Sequence, residues 1–205
     1  MPRLDQVIIR AKPKQITAFY PLLTAGYSTM TRLGISVQDL LCDLLGMDKG
    51  YIEKRIQTVF LNGKAVDNLK KTVIRNGATL ALSAAMPGLV GATFRRGGLY
   101  SVMREQITHP ADYTINVAEE GIITIKIFNL IAQDIGPQIL ERGIQVSGKQ
   151  LQQLLSSKGP RPCEDISEEI LLNSRQVTCQ EFRAFDFEEH TIHLQIFCPP
   201  DTEDI

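Results

Sequence analysis

The sequence predicts an α+β protein made of two small modules, and three observations lead there. Short β-branched runs are bounded by Asn-Gly and Gly-rich turns. Helical segments with readable N-caps lie between them. The charge also divides: residues 1–98 carry 14 Lys+Arg against 6 Asp+Glu, a net of +8, while residues 99–205 carry 8 against 17, a net of −9. The expected division is therefore a module at 1–98 and an antiparallel sheet with short helices at 99–205, ending in an acidic tail, PPDTEDI, expected to be disordered. At 205 residues and 43% apolar composition the chain has enough core to fold without a disulfide or metal staple.

In chain order, Gln6–Ala11 (QVIIRA) is apolar and β-branched and reads as a strand, broken by Lys12-Pro13-Lys14. Ile16–Leu23 suits a short helix ended by Gly26. Ser36 can accept a hydrogen bond from the amide three residues on, and Asp39 places negative charge in the first turn of the helix it starts. Val37, Leu40, Leu41, Leu44 and Leu45 recur at helical spacing, so one face is buried, and Gly46 is a stop. Asp48 caps a second helix with Ile52 and Ile56 inward. Thr58–Leu61 is a strand, and Asn62-Gly63 supplies the two positive-φ residues of a type I′ hairpin returning along Lys64–Asp67. A turn at Asn76-Gly77 leads into a strand at Ala78–Ser83, followed by an irregular loop through Pro87, Gly88, Gly91 and Gly97-Gly98.

In the second half, Tyr113–Val117 and Ile122–Phe128 suit a hairpin, with Ile115, Val117, Ile123, Ile125 and Ile127 on one face. Pro137 fits the first turn of a short helix stopped by Gly143. Ile144–Val146 is a brief strand, and Ser147 with Gln150 forms a capping box for a helix bearing Leu151, Leu154 and Leu155. Gly159–Pro162 and the acidic stretch after it read as a loop, and Glu181–Phe187 with Thr191–Phe197 as a last hairpin.

The residues around Ser36–Gly98 resemble a known family. Ser36, Val37, Leu40 and Leu41, then Leu61-Asn62-Gly63 with Val66, then Gly77, Leu80 and Leu82, then Gly97-Gly98, are similar to the ubiquitin-like β-grasp fold of small sulfur-carrier proteins, the molybdopterin-synthase small subunit and thiamine-pathway carrier type. The resemblance covers residues 1–98. It implies a sheet wrapped on one amphipathic helix, and a carrier of that family ends at its Gly-Gly, whereas 107 residues follow Gly98 here and Ala78 stands where the family has Asp. Arg95-Arg96-Gly97-Gly98 resembles the ubiquitin tail. As an uncleaved loop, these four residues are the candidate ligand-binding set, two cations with glycine amides able to receive an anion.

Residues 37–82 are also similar to the alpha-L RNA-binding module, with Lys49, Lys54, Arg55, Lys64, Lys70 and Lys71 as candidate phosphate contacts. Asp48-Lys49 replaces that module's usual Ser-Arg. His190 and His193 are spaced H-x-x-H, which on a strand sends them to opposite faces. Cys42, Cys163, Cys179 and Cys198 have no C-x-x-C pairing and read as reduced thiols. No catalytic residue, metal ligand set or cofactor motif is read from the chain.

The leading expectation is a non-catalytic binding or adaptor protein that meets a protein partner or a small anion through the basic module. An RNA-binding protein is one alternative. An enzyme with a site between the modules, using Arg95, Arg96, His109 and carboxylates of the acidic half, is another. With no signal-peptide run and no membrane-length apolar segment, the expected location is cytoplasmic, without a membrane partner. Oligomeric state is not legible.

Overall fold

The structure, a computed structural model, describes residues 3–84, 88–98, 119–156 and 169–198. The elements in chain order are β1 (Arg3–Arg10), a 3-10 segment (Pro13–Phe19), α1 (Tyr20–Ala25), β2 (Tyr27–Arg32), α2 (Val37–Asp43), α3 (Lys49–Arg55), β3 (Thr58–Leu61), β4 (Lys64–Ala65), β5 (Thr79–Ser83) and α4 (Gly88–Phe94). Then follow β6 (Glu120–Phe128), α5 (Asn129–Arg142), β7 (Ile144–Ser147), α6 (Gly148–Ser156), β8 (Glu169–Leu172), β9 (Arg175–Gln176), α7 (Cys179–Ala184) and β10 (His190–Phe197). The protein is mixed α+β, as the alternation of capped helices with β-branched runs predicts. The expected strand at Tyr113–Val117, together with His109, Cys163, the Gly159–Pro162 loop and the tail, lies outside the described residues.

The chain divides into two compact units, but not at Gly98. One is Met1–Tyr27 with Ala132–Ile205, and the other is Ser28–Ile131. The physical reason is strand pairing. β1 runs parallel to β10, from Arg3 opposite His190 to Arg10 opposite Phe197, and antiparallel to β8 on its other side. The N-terminal strand therefore belongs with the C-terminal segment.

In that first unit the strand order is β7-β10-β1-β8-β9. Asp5, Val7 and Ile9 of β1 are buried, as are Ile192, Leu194 and Ile196 of β10 and Ile144 and Val146 of β7. This is the period-2 alternation of a sheet with one apolar face inward. Phe19, Leu22 and Leu23 from the 3-10 segment and α1, Leu151 and Leu155 from α6, and Phe182 complete the core. Gly148 at the start of α6 allows the closest approach: a Cβ there would lie 1.5 Å from the Phe187 carbonyl oxygen.

Two local expectations change in this unit. Glu181–Phe187 is not a strand, because α7 occupies Cys179–Ala184. Thr178 Oγ1 accepts from Glu181 N at 3.2 Å and Thr178 N donates to Glu181 Oε2 at 2.8 Å, a capping box that starts the helix. Pro137 lies inside the longer α5 rather than in a first turn. β8 and β9 turn through Asn173 and Ser174, both at positive φ (51° and 67°).

In the second unit the strand order is β4-β3-β5-β6-β2, with β5 and β6 parallel and β3 antiparallel to both β4 and β5. Val59, Leu61, Leu80, Leu82, Ile123, Ile125 and Ile127 are buried from the sheet, and Val37, Leu40, Leu41 and Ile52 from α2 and α3. β6 takes the place beside β5, and the strand at Gln6–Ala11 pairs instead with β10 and β8. The hairpin turn has Asn62 at φ 52° and Gly63 at φ 76°, as the type I′ geometry demands. The glycine-rich stretch after β5 is not wholly a loop: Gly88–Phe94 forms α4, and the Phe94 ring packs on Phe60 with centroids 5.2 Å apart.

Candidate functional site

In the Ser28–Ile131 unit, a cleft of about 280 Å³ is lined by Gln38, Lys49, Ile52, Glu53, Asp67, Asn68, Leu69, Lys70 and Arg96. Each wall has a local cause. Asp48 caps α3 by accepting from Gly50 N and Tyr51 N at 2.8 and 3.1 Å, which fixes the helix start. Lys49, Ile52 and Glu53 then fall at i, i+3 and i+4, on one side of α3. The segment after β4 is stitched to the start of α2, with Val37 N donating to Thr72 O at 2.8 Å and Gln38 N to Leu69 O at 3.0 Å. Asn68 rounds the corner, its Oδ1 accepting from Lys70 N and Lys71 N at 3.2 and 3.1 Å.

Arg96 closes the cleft from the far side in sequence. Its backbone N donates to Gln57 O at 2.8 Å. Its Nη2 donates to Ile52 O at 3.1 Å and Ile56 O at 2.9 Å at the C-terminal end of α3, and Ile52 O accepts from Ile56 N as well, at 3.3 Å. Burial pushes the guanidinium's pKa down, and the neighbouring Asp67 and Glu53 carboxylates push it back up. Its Nε is buried without a hydrogen-bond partner among the described residues. Arg96 thus has a structural task and also adds positive charge to the cleft wall.

Of the ligand set expected from sequence, only Arg96 lines the cleft. Arg95 and Gly97 are exposed beyond α4, with Gly97 at φ 61°, and Gly98 is half-buried. Of the expected phosphate contacts, Lys49 and Lys70 line it. Lys54 and Arg55 stand in the last turn of α3, Lys64 on β4, and Lys71 in the 66–75 segment. The fold therefore joins residues from two separate sequence expectations and adds Gln38, Glu53, Asp67 and Asn68, which those expectations omit.

The other unit holds a second polar arrangement that the sequence reading missed. Asp5 is 1% exposed. Its carboxylate accepts from His190 Nδ1 and, at 2.8 Å, from Asn173 Nδ2. Asn173 is itself tied to β1, accepting from Gln6 N at 2.9 Å and donating its backbone N to Gln6 O at 2.8 Å. The imidazole also meets Phe185 edge-on at 5.9 Å. The signal for this site was present: Asp5 shares parity with Val7 and Ile9, so an inward carboxylate had to find donors. His193 has the opposite parity on β10 and stands against Gly143.

Cys42, Cys179 and Cys198 are not in disulfides, and no group of metal-ligating residues occurs among the described residues. No described helix is long and apolar enough to cross a membrane. No protein-family model, no curated protein and no solved structure matches this chain.

Proposed function

We propose that the chain is a binding or adaptor protein whose Ser28–Ile131 unit is a β-grasp-like recognition module, receiving a protein group or small anion in the cleft beside Arg96. The observation that carries this reading is the convergence of Lys49, Lys70 and Arg96 from three separate segments around one concavity. Lys49 and Lys70 are solvent-exposed there, and the amides of Gln38 and Asn68 flank them. Such a grouping of cations with neutral amides suits a carboxylate or phosphate group. The likeness to the sulfur-carrier family supports the module's recognition role through the helix at Ser36 and the Asn62-Gly63 hairpin. The strand at Gln6–Ala11 no longer contributes to it. The RNA-binding alternative has less support, because Glu53 and Asp67 share the cleft with its two lysines.

The test is a titration of the full chain with succinate, followed by calorimetry, against Lys49→Glu/Lys70→Glu and a control of equal charge change, Lys54→Glu/Lys64→Glu. Loss of binding only in the first variant is expected. Equal loss in both would reduce the effect to net charge and defeat the reading.

A further inference from the structure

The cleft carries charges of both signs, and this narrows what it takes. Glu53 lies one turn from Lys49 on α3, and Asp67 precedes Asn68 in the segment after β4. A ligand bearing only negative charge meets three cations but also two carboxylates, and a like charge held nearby opposes binding. A phosphodiester chain has nothing to offer Glu53. A ligand with an ammonium as well as an anionic group satisfies both sets.

Ile52 and Leu69, which are 2% and 4% exposed, form the buried apolar floor beneath these charged residues. The space, about 280 Å³, lies just below the range for ligand sites, roughly 300–1,000 Å³. It fits a compact molecule rather than a folded surface.

Resting on the reading of this cleft as the recognition site, we propose that its ligand is a small zwitterion of the amino-acid or dipeptide class. The carboxylate is received by Lys49 and Lys70, with Arg96 adding positive potential. The ammonium is received by Glu53. Gln38 and Asn68 address a peptide unit. A zwitterion loses much solvation on binding and recovers it only where both signs are present together, which gives selectivity over simple anions and amines.

The experiment is calorimetry of the full chain with four probes: glycyl-leucine, succinate, 1,4-diaminobutane and inorganic phosphate. Glycyl-leucine is expected to bind about tenfold more tightly than the other three. Glu53→Gln and Lys70→Met, both exposed positions, should each weaken glycyl-leucine about tenfold. Glu53→Gln should also leave succinate binding unchanged or improved. Succinate or phosphate binding as tightly as glycyl-leucine, with loss in Lys70→Met, would overturn the zwitterion while leaving the cleft as an anion site. No binding of any probe would remove both readings. Glycyl-leucine binding that ignores both substitutions would place the ligand elsewhere and overturn the proposal.

Discussion

Replacing Asp5 with alanine is expected to be among the costliest single changes in the protein. The carboxylate is 1% exposed and accepts from two side chains, His190 Nδ1 and Asn173 Nδ2, the second at 2.8 Å. Hydrogen bonds to a charged group contribute about 1.5–3 kcal/mol each. Removing one partner of a buried pair typically costs about 3–5 kcal/mol, because the remaining groups keep their desolvation without compensation. A loss of about 4 kcal/mol follows, which for a chain of this length lowers the Tm by roughly 8–16 °C. His190→Gln should cost less, about 1–3 kcal/mol, since the imidazole is 20% exposed and recovers water. Urea denaturation followed by far-UV circular dichroism measures each variant and the double variant Asp5→Ala/His190→Gln. The double variant should be less destabilised than the sum of the singles by about 1–3 kcal/mol. A cost for Asp5→Ala below about 1 kcal/mol, or strict additivity, would refute the reasoning that this pair is held in a closed, coupled arrangement.

Three further outcomes are expected. Tyr27→Phe should stabilise the protein by about 1 kcal/mol in thermal unfolding, because the phenol oxygen is buried with no partner among the described residues. Burial also raises the Tyr27 pKa, so its neutral form is favoured in the folded state. That contribution is intact below the ordinary tyrosine value, roughly 10, and is lost as pH rises towards the folded value, which an ultraviolet titration should show as a late phenolate step coincident with unfolding. Thr178→Ala should cost about 1 kcal/mol and erase an acid-side effect at α7. The hydrogen bonds from Thr178 lower the Glu181 pKa, so the cap is present above the ordinary glutamate value, roughly 4.3, and fades as pH falls through the folded one. Monitoring the Glu181 carboxyl by NMR from pH 6 to pH 2 checks this. Arg96→Met should cost about 1–2 kcal/mol by removing the side-chain donor to Ile56 O and one of the two donors to Ile52 O, and hydrogen exchange should quicken in the last turn of α3.

Much of the local structure was legible because its causes are local. Ser36, Asp48 and Ser147 each cap the helix that their spacing announces, and Asn62-Gly63 turns where positive φ is needed. The partnership of β1 was not legible, because its neighbours lie 159 or more residues away and an apolar strand carries no address for its partner. Glu181–Phe187 reads as a strand in the sequence, although the Thr178–Glu181 signature for a helix stands just before it. Glycines at 88 and 91 suggested a loop, although Phe94 gives that segment a packing site on Phe60.

The candidate cleft was half legible. Basic residues were visible, but their grouping depends on how the 66–75 segment is sewn to α2 and on Arg96 returning to the end of α3. In the sequence the carboxylates Glu53 and Asp67 enter only through the net charge of residues 1–98. In the folded unit they stand in the same concavity as the lysines, and there they set selectivity.

The most direct measurement is an amide chemical-shift map of the full chain titrated with succinate and with glycyl-leucine. The recognition cleft predicts that the largest changes fall at Gln38, Lys49–Glu53, Asp67–Lys70 and Arg96. Changes centred instead on Arg95, on Lys64 or around His190, with those positions silent, would contradict it.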